Sequence, residues 1–253
     1  MSSLVCDQKR LRVSLTTWKE KGIVHGFSTR RVPITTHDFY QKKQFDAAKE
    51  FCNTLGISIG NLILPKQVHS SHVAFVSRKV LGRLSLFPDC DGLMTRSKEV
   101  VLGVLSADCI PVLFYVPSSQ TIAVAHAGWK GLQKELPRKM VEQLIRFAFA
   151  NPTEILVAIG PAIRKCCYEV RQDVSSLFST ECTAIRNGKL YLDLVLILQK
   201  QLQQSGIQLD QITDSEICTS CRNEEFFSYR QEGEKSGRIL TVIQIGDRIG
   251  AEA

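Results

Sequence analysis

The sequence predicts an α+β protein with packed β-sheets and outer helices, and three observations predict it. Apolar runs of strand length, rich in Val, Leu and Ile and punctuated by Pro and Ser, crowd the middle of the chain. Helical spacing of three to four residues governs segments before and after them. The strands come in clusters rather than in regular βαβ alternation, which argues against a doubly wound parallel sheet. A chain of 253 residues with 44% hydrophobic content buries roughly 70 to 75% of its unfolded surface without disulfide support. No internal repeat, low-complexity tract or Pro/Ser linker divides residues 1–253, so no domain boundary is expected, and one domain or two tightly fused halves both fit.

In chain order, Ile23–Ser28 (IVHGFS) predicts a strand. Phe45–Gly56 (FDAAKEFCNTLG) predicts an amphipathic helix that Gly56 stops, because glycine takes the left-handed conformation closing a helix without steric cost. Strands are expected at Leu62–Val68, Val73–Val76, Val100–Leu105, Pro111–Val116 and Thr121–Ala127. Pro117–Gln120 (PSSQ) reads as the turn that joins the last two into a hairpin. Beyond Gly131, Leu136, Met140, Leu144, Ile145 and Phe149 recur with helical period, and Pro137 falls in the first turn, where its missing N–H is no loss. Ile155–Ile159 predicts a strand ended by Gly160-Pro161, Leu192–Gln204 a second long helix stopped at Gly206, and Arg238–Ile245 a final strand.

The nine cysteines are scattered, with close groups only at Cys166-Cys167 and Cys218-Thr-Ser-Cys221. That is no disulfide framework of a small secreted protein, and it reads as reduced thiols in a cytoplasm. The segment MSSLVCDQKRLRV carries no apolar core with a cleavage site, and no stretch reaches the ~18 uninterrupted apolar residues of a membrane helix, so no membrane partner is expected. The net charge of +7 is spread over small groups: Lys9, Arg10 and Arg12, then Arg30-Arg31, Lys42-Lys43 and Arg164-Lys165. Such a balance suits an anionic small molecule, phosphate included. Without an RNP, helix-turn-helix or zinc-finger pattern, nucleic acid is not an expected partner.

Chemistry concentrates at QVHS (His69), SADCIPVL (Cys109) and AHAGWKG (His126). These residues lie 40 and 17 positions apart (109 − 69; 126 − 109) at the ends of apolar runs, where a β-scaffold can bring them to one point. One thiolate and two imidazoles suit Zn²⁺, and three protein ligands with a fourth position left to water is the pattern of catalytic zinc, which lowers the pKa of its water to ~7. Each residue also has an ordinary structural role: a small core hydrophobe for Cys109, a hydrogen-bonded strand residue for either histidine. The two glycines beside Trp129 and Lys130, and the Asp108-Cys109 pair next to Pro111, fit a pocket rim better than a core.

The motifs HGFSTR (25–30), QVHS (67–70), DCDGLMT (89–95), SADCIPVL (106–113), AHAGWKG (125–131), IGPAIRKCCYEV (159–170), LDL (192–194), ICT (217–219) and FFSYR (226–230) resemble, in the same order, those of the YfiH family. This laccase-domain family is associated with purine nucleoside phosphorolysis, and the resemblance runs from about Gly22 to Ile245. It implies a single-domain four-layer α/β/β/α sandwich with zinc on the residues matching His69, Cys109 and His126. It also implies phosphorolysis of adenosine, inosine and methylthioadenosine to base and sugar 1-phosphate, with adenosine deamination at the same site. Purine nucleoside and phosphate are then the partners, and no oligomeric state is implied. The chain departs from the family pattern where Arg31-Val-Pro-Ile replaces a Gly-Gly turn, where Lys130 stands for arginine, and where the helix after Asp193 lacks an asparagine. These changes bear on substrate preference more than on metal binding.

Arg30, Lys130 and Arg230 are candidates to hold phosphate, since an anionic co-substrate needs positive charge in a partly desolvated pocket. Surface cations or structural ion pairs are the alternative. Asp108 is a candidate to orient a ligand or shuttle a proton, or to satisfy backbone donors. Trp129 and Phe227 are candidates to stack on a purine, or to pack. Cys218-X-X-Cys221 lacks a second CxxC for a closed zinc site and the βαβ context of a redox motif, so a structural or incidental role is expected, and Cys166-Cys167, which needs strained geometry to act as two ligands, is given no chemistry.

A rival reading makes Cys109 the nucleophile of a cysteine hydrolase, with His126 or His69 as base. Its variant is an amidase that edits peptidoglycan precursors, a role attached to some members of the family. Multicopper oxidation fares worse: coupled copper centres need more histidines than the five present, so copper is not the favoured metal. A non-enzymatic binding module using the basic surface is a third class.

Overall fold

Strands Ile110–Val116 and Thr121–Ala127 are buried at every position, yet their side chains divide by the two-residue period of a strand. Val112, Phe114 and Val116, with Ala123, Ala125 and Ala127, enter one apolar cluster, while Leu113, Tyr115, Ile122 and Val124 enter another. The same split recurs in Val101–Ser106, where Leu102 and Val104 face one cluster and Val101 and Leu105 a third. A strand sealed on both faces needs a layer on each side. The computed structural model, which describes residues 4–7, 9, 11–37, 45–77 and 85–246, supplies those layers.

A six-stranded sheet runs in the order Ile212–Asp214, Leu156–Ile159, Ile110–Val116, Thr121–Ala127, Gly92–Thr95, Val73–Phe75. A seven-stranded sheet runs Leu4–Cys6, Arg12–Leu15, Ile23–Ser28, Ile239–Ile245, Val101–Ser106, Leu62–Pro65, Ser85–Phe87. The cluster between them joins Leu113 and Val124 to Phe27, Leu102, Val104 and Ile243. Helices Leu136–Ala148 and Leu194–Gln204 cover the outer face of the first sheet through Met140, Leu144, Ile197 and Leu198. Helix Phe45–Thr54 covers the second through Ala48 and Phe51 against Leu62, Leu64 and Val242. The result is a four-layer α/β/β/α sandwich whose three apolar interfaces are the three clusters. All four edge strands of the two sheets are three residues long.

Most expected elements form, with instructive differences. The strand expected to run to Val68 ends at Pro65, because residues 68–70 turn away to meet a buried carboxylate. The second long helix starts at Leu194 rather than Leu192, since Asp193 caps it by accepting from the Leu196 N–H at 3.0 Å. Phe149 is not on the buried helix face: it closes the helix in a left-handed conformation (φ 52°) and is 84% exposed. Ile145 is exposed as well, and Leu136, Met140, Val141, Leu144 and Ala148 form the packed stripe. A small sheet of Glu169–Val170, Lys189–Leu192 and Thr183–Arg186 escaped prediction because its strands are only two to four residues long and mostly half-exposed or exposed. Arg10, Lys42 and Lys43 lie outside the described residues. Among the described residues, no helix is long and apolar enough to cross a membrane.

Candidate metal centre

Strand register builds the centre. His126 lies opposite Pro111 in the hairpin, two residues from Cys109, so both extend the row of Leu113 and Val124 that fills the space between the sheets. His69 comes from the loop after Leu62–Pro65, in the other sheet. Its ring sits 5.1 Å from that of His126, nearly edge-on at 73°. The donor atoms of His69, Cys109 and His126 all lie within 4.8 Å of one another. Gly128 makes this approach possible: a Cβ there would meet Cys109 Sγ at 2.7 Å.

Asp91 organises the centre, a part that sequence reasoning did not assign to it. Fully buried, its carboxylate accepts from the backbone N–H groups of Val68 (3.2 Å), His69 (3.1 Å) and Ser70 (2.6 Å) and from Ser70 Oγ (2.8 Å). It also holds His126 Nδ1 at 3.1 Å, while its carbonyl accepts from the His126 N–H at 2.8 Å. One side chain thus folds the His69 loop, which has φ 54° at His69 itself, and turns His126 so that Nε2 is left for the centre. Burial opposes the charge on Asp91, but the hydrogen bonds from His126 and Ser70 outweigh it and hold the carboxyl at about 2. Burial likewise opposes a thiolate at Cys109, yet the positive charge and hydrogen bond of His126, then those of His69, bring the thiol down to about 6. Against its own desolvation, the thiolate of Cys109 and the Asp91 carboxylate raise His126 to about 9. Thiolate and imidazolium therefore pair here, and an ion that displaces the His126 proton would meet one anionic sulfur and two imidazoles, a set that fits a borderline-soft divalent ion.

The centre floors a cleft of about 700 Å³ lined by Lys66, Gln67, Trp129, Lys130, Tyr168, Tyr229, Arg230 and Arg238 among others. Four cations face one carboxylate, Asp108, among the lining residues. That carboxylate is already engaged: Oδ1 accepts from Thr219 Oγ1 and Oδ2 from the Arg230 N–H, both at 2.7 Å. Asp108 has φ 86°, a strained position held by these bonds and by Ile163 N–H on its carbonyl at 3.0 Å.

Of the sequence candidates, His69, Cys109, His126, Asp108, Trp129, Lys130 and Arg230 all border the cleft. Arg30 and Phe227 are not brought there. The Arg30 guanidinium lies 4.7 Å over the Phe227 ring, pairs with Glu232 and donates to the Asn223 carbonyl, and Phe227 is packed in the inter-sheet core. Lys66, Tyr168, Tyr229 and Arg238 were missed: they come from separate parts of the chain, and although Tyr168 and Tyr229 lie within quoted motifs, with Tyr229 beside Arg230, nothing local marks them as cleft residues. The four cysteines given no chemistry converge, since the sulfurs of Cys166, Cys167, Cys218 and Cys221 all lie within 4.8 Å of one another.

Fold and site together define a class: four-layer sandwiches with a His–Cys–His centre at the floor of a basic cleft. Residues 27–246 match the family described as multi-copper polyphenol oxidoreductase laccase. The chain is 31% identical over 245 residues to adenosine deaminase RL5 from an unidentified prokaryote, covering 87% of this chain and 93% of that one. It is 29% identical over 251 residues to purine nucleoside phosphorylase YlmD of Bacillus subtilis, covering 90% of each. The crystal structure of YlmD from Geobacillus stearothermophilus superposes with a TM-score of 0.89 at 26% identity, over 98% of this chain and all of that one. The Bacillus licheniformis protein YfiH superposes with a TM-score of 0.84 at 27% identity, over 92% of this chain and 96% of that one. The chain belongs to the YfiH, or laccase-domain, family.

Proposed function

We propose that the cleft binds a purine nucleoside and phosphate, and that the chain catalyses phosphorolysis of adenosine, inosine or methylthioadenosine and deaminates adenosine. The observation that carries this reading is the four-cation lining in front of the His–Cys–His centre, in a chain similar to proteins named purine nucleoside phosphorylase and adenosine deaminase. His69, Cys109 and His126 would hold a zinc ion, whose Lewis acidity supplies an activated water at neutral pH or polarisation of the purine. Lys130 and Arg230 neutralise phosphate, with Lys66 and Arg238 adding positive field. A phosphate oxygen bonds to the ribose C1′ as the C1′–N9 bond breaks, and the departing purine takes up a proton. Deamination instead adds water to the purine carbon and releases ammonia. Trp129 and Tyr168 offer flat surfaces for the base. The reduced thiols suit a cytoplasmic setting.

The test follows adenosine through chromatography with and without phosphate. Adenine and ribose 1-phosphate appear only with phosphate, inosine appears without it, and Cys109→Ala loses both. Identical traces from wild type and Cys109→Ala would place the chemistry elsewhere.

One observation favours a second reading. Asp91, His126 and Cys109 form a connected carboxylate–imidazole–thiol chain, which is the arrangement of a thiol hydrolase with Cys109 as nucleophile, His126 as base and Asp91 as its orienter. Iodoacetamide separates the two readings. A metal-held thiolate is labelled only after chelation, and a free nucleophile is labelled at the same rate before and after it.

A further inference from the structure

The strands Leu156–Ile159 and Ile212–Asp214 pair in parallel, so the loops that follow them leave the sheet at the same end. A bridge between Ala162 and Cys218 continues the pairing, with Ala162 N–H on the Ile217 carbonyl (3.2 Å) and Thr219 N–H on the Ala162 carbonyl (3.1 Å). On the first loop, a turn in which the N–H groups of Cys167 and Tyr168 both reach the Arg164 carbonyl, at 2.9 and 3.0 Å, brings Cys166 and Cys167 round to the same point. Cys166 Sγ lies 3.5 Å from both Cys218 Sγ and Cys221 Sγ, and Cys167 Sγ lies 3.3 Å from Cys221 Sγ.

We infer that Cys166, Cys167, Cys218 and Cys221 form a closed tetrathiolate zinc site that clamps these two loops together beside the cleft. A tetrahedron of sulfurs about 2.3 Å from zinc has edges of about 3.8 Å; the contacts of 3.3 to 3.5 Å fall a few tenths of an ångström short of that edge, and every other pair lies within 4.8 Å. Four thiolate donors leave no position for water, which is the pattern of structural rather than catalytic zinc. Cys218 and Cys221 form the CxxC half of such a site, in which the first sulfur accepts backbone N–H bonds from Cys221 and from Arg164. Those donors hold the Cys218 thiol below its ordinary value in spite of burial. The hydrogen bond from Cys167 pushes Cys221 up to about 11, and burial with its thiol neighbours pushes Cys166 up. A thiol that binds a cation here releases its proton.

The clamp has a target. Tyr168, next to Cys167, borders the cleft with the Arg230 guanidinium 5.2 Å over its ring. Thr219, between the other two cysteines, donates to Asp108, and its neighbour Ser220 accepts from Gln231 Nε2 at 2.7 Å. An ion here fixes one wall of the cleft without touching its floor.

The full chain, purified reduced, is analysed for metal as wild type and as Cys109→Ala. Wild type is expected to carry two zinc ions and Cys109→Ala one. Stripped Cys109→Ala titrated with Co²⁺ should develop the intense thiolate-to-cobalt charge-transfer absorption of several thiolates, release protons and melt at a higher temperature. Adding Cys221→Ser should remove the band, the bound ion and the thermal shift. A Cys109→Ala protein that binds no Co²⁺ through thiolates overturns the inference, as does mass spectrometry showing any two of the four cysteines joined as a disulfide in the reduced preparation. Independence of the floor is read from the metal content alone, so failure of the nucleoside assay leaves this outcome unchanged.

Discussion

Two groups of cysteine-bearing ligands lie on neighbouring parts of one sandwich, and they are built on opposite plans. The His69–Cys109–His126 centre has two donors at one end of a sealed hairpin and a third on a loop from the other sheet, a buried carboxylate behind it, left-handed backbone at His69 and Asp108, and an open cleft in front. The Cys166–Cys167–Cys218–Cys221 group has four donors on loops, backbone N–H groups in place of a carboxylate, and two members exposed at the surface. Three donors facing an open cleft suit a centre that exchanges a ligand during a reaction, and four donors closing on one point suit a centre that does not.

The largest effect that would break this contrast concerns activity. His126→Ala is expected to lower kcat/KM on adenosine by at least about a thousandfold, whereas Cys221→Ser, which loosens only a wall, should cost less than about tenfold and mainly in KM. Comparable losses in both variants would erase the division into a working centre and a clamp.

A third buried side chain sharpens it. His25 is as deeply enclosed as His126 but meets no thiol or carboxylate: its Nε2 accepts from the Leu15 N–H at 2.9 Å and its Nδ1 faces the Ile23 carbonyl at 3.2 Å. Burial first, with the nearby charge of Arg12, lowers it from 6.5 to about 4. Unfolded chains therefore take up this proton before folded ones do. The neutral-His25 contribution is complete above about pH 6.5 and is lost as pH falls toward about 4, on the order of 3 kcal/mol in all. Urea unfolding of wild type and His25→Gln across that window should show a steeper acid loss for wild type; parallel curves would refute the assignment.

Asp91→Asn removes the charge while keeping the shape. Because it orients His126 and gathers three successive N–H groups, metal affinity at the centre should fall about 10- to 100-fold, with no change in Co²⁺ bound by the four-cysteine group. The smallest effect is expected at the cleft rim, where Lys130→Ala should raise the KM for phosphate by about tenfold and leave phosphate-independent deamination unaltered. Equal losses in the two reactions would remove Lys130 from phosphate binding.

The sandwich was legible where burial is two-sided, because a Val- and Leu-rich run at Ile110–Val116 has no competing reading once a turn such as PSSQ follows it. The donor trio was legible because Cys109 and His126 sit near the same end of that hairpin and His69 ends another apolar run. Asp91 falls within the DCDGLMT motif, but its role was not legible, since it comes from three amides 21 to 23 positions away. Arg30 and Phe227 were misplaced for a related reason: a cation and an aromatic suit a binding pocket and a packed pair equally, and only the fold shows that they satisfy each other. The four cysteines lie 54 and 55 positions apart across their closest new contacts to Cys221, a pairing that depends on two parallel strands ending together, which no local pattern records.

The short borders of both sheets carry a last implication. Among the described residues, each offers a passing chain three residues of unpaired backbone, a brief template for a stranger's strand to grow upon. In a polypeptide this rich in Val, Leu and Ile, borders that stop early work against stacking into fibres, and lengthening one of them is expected to favour aggregation.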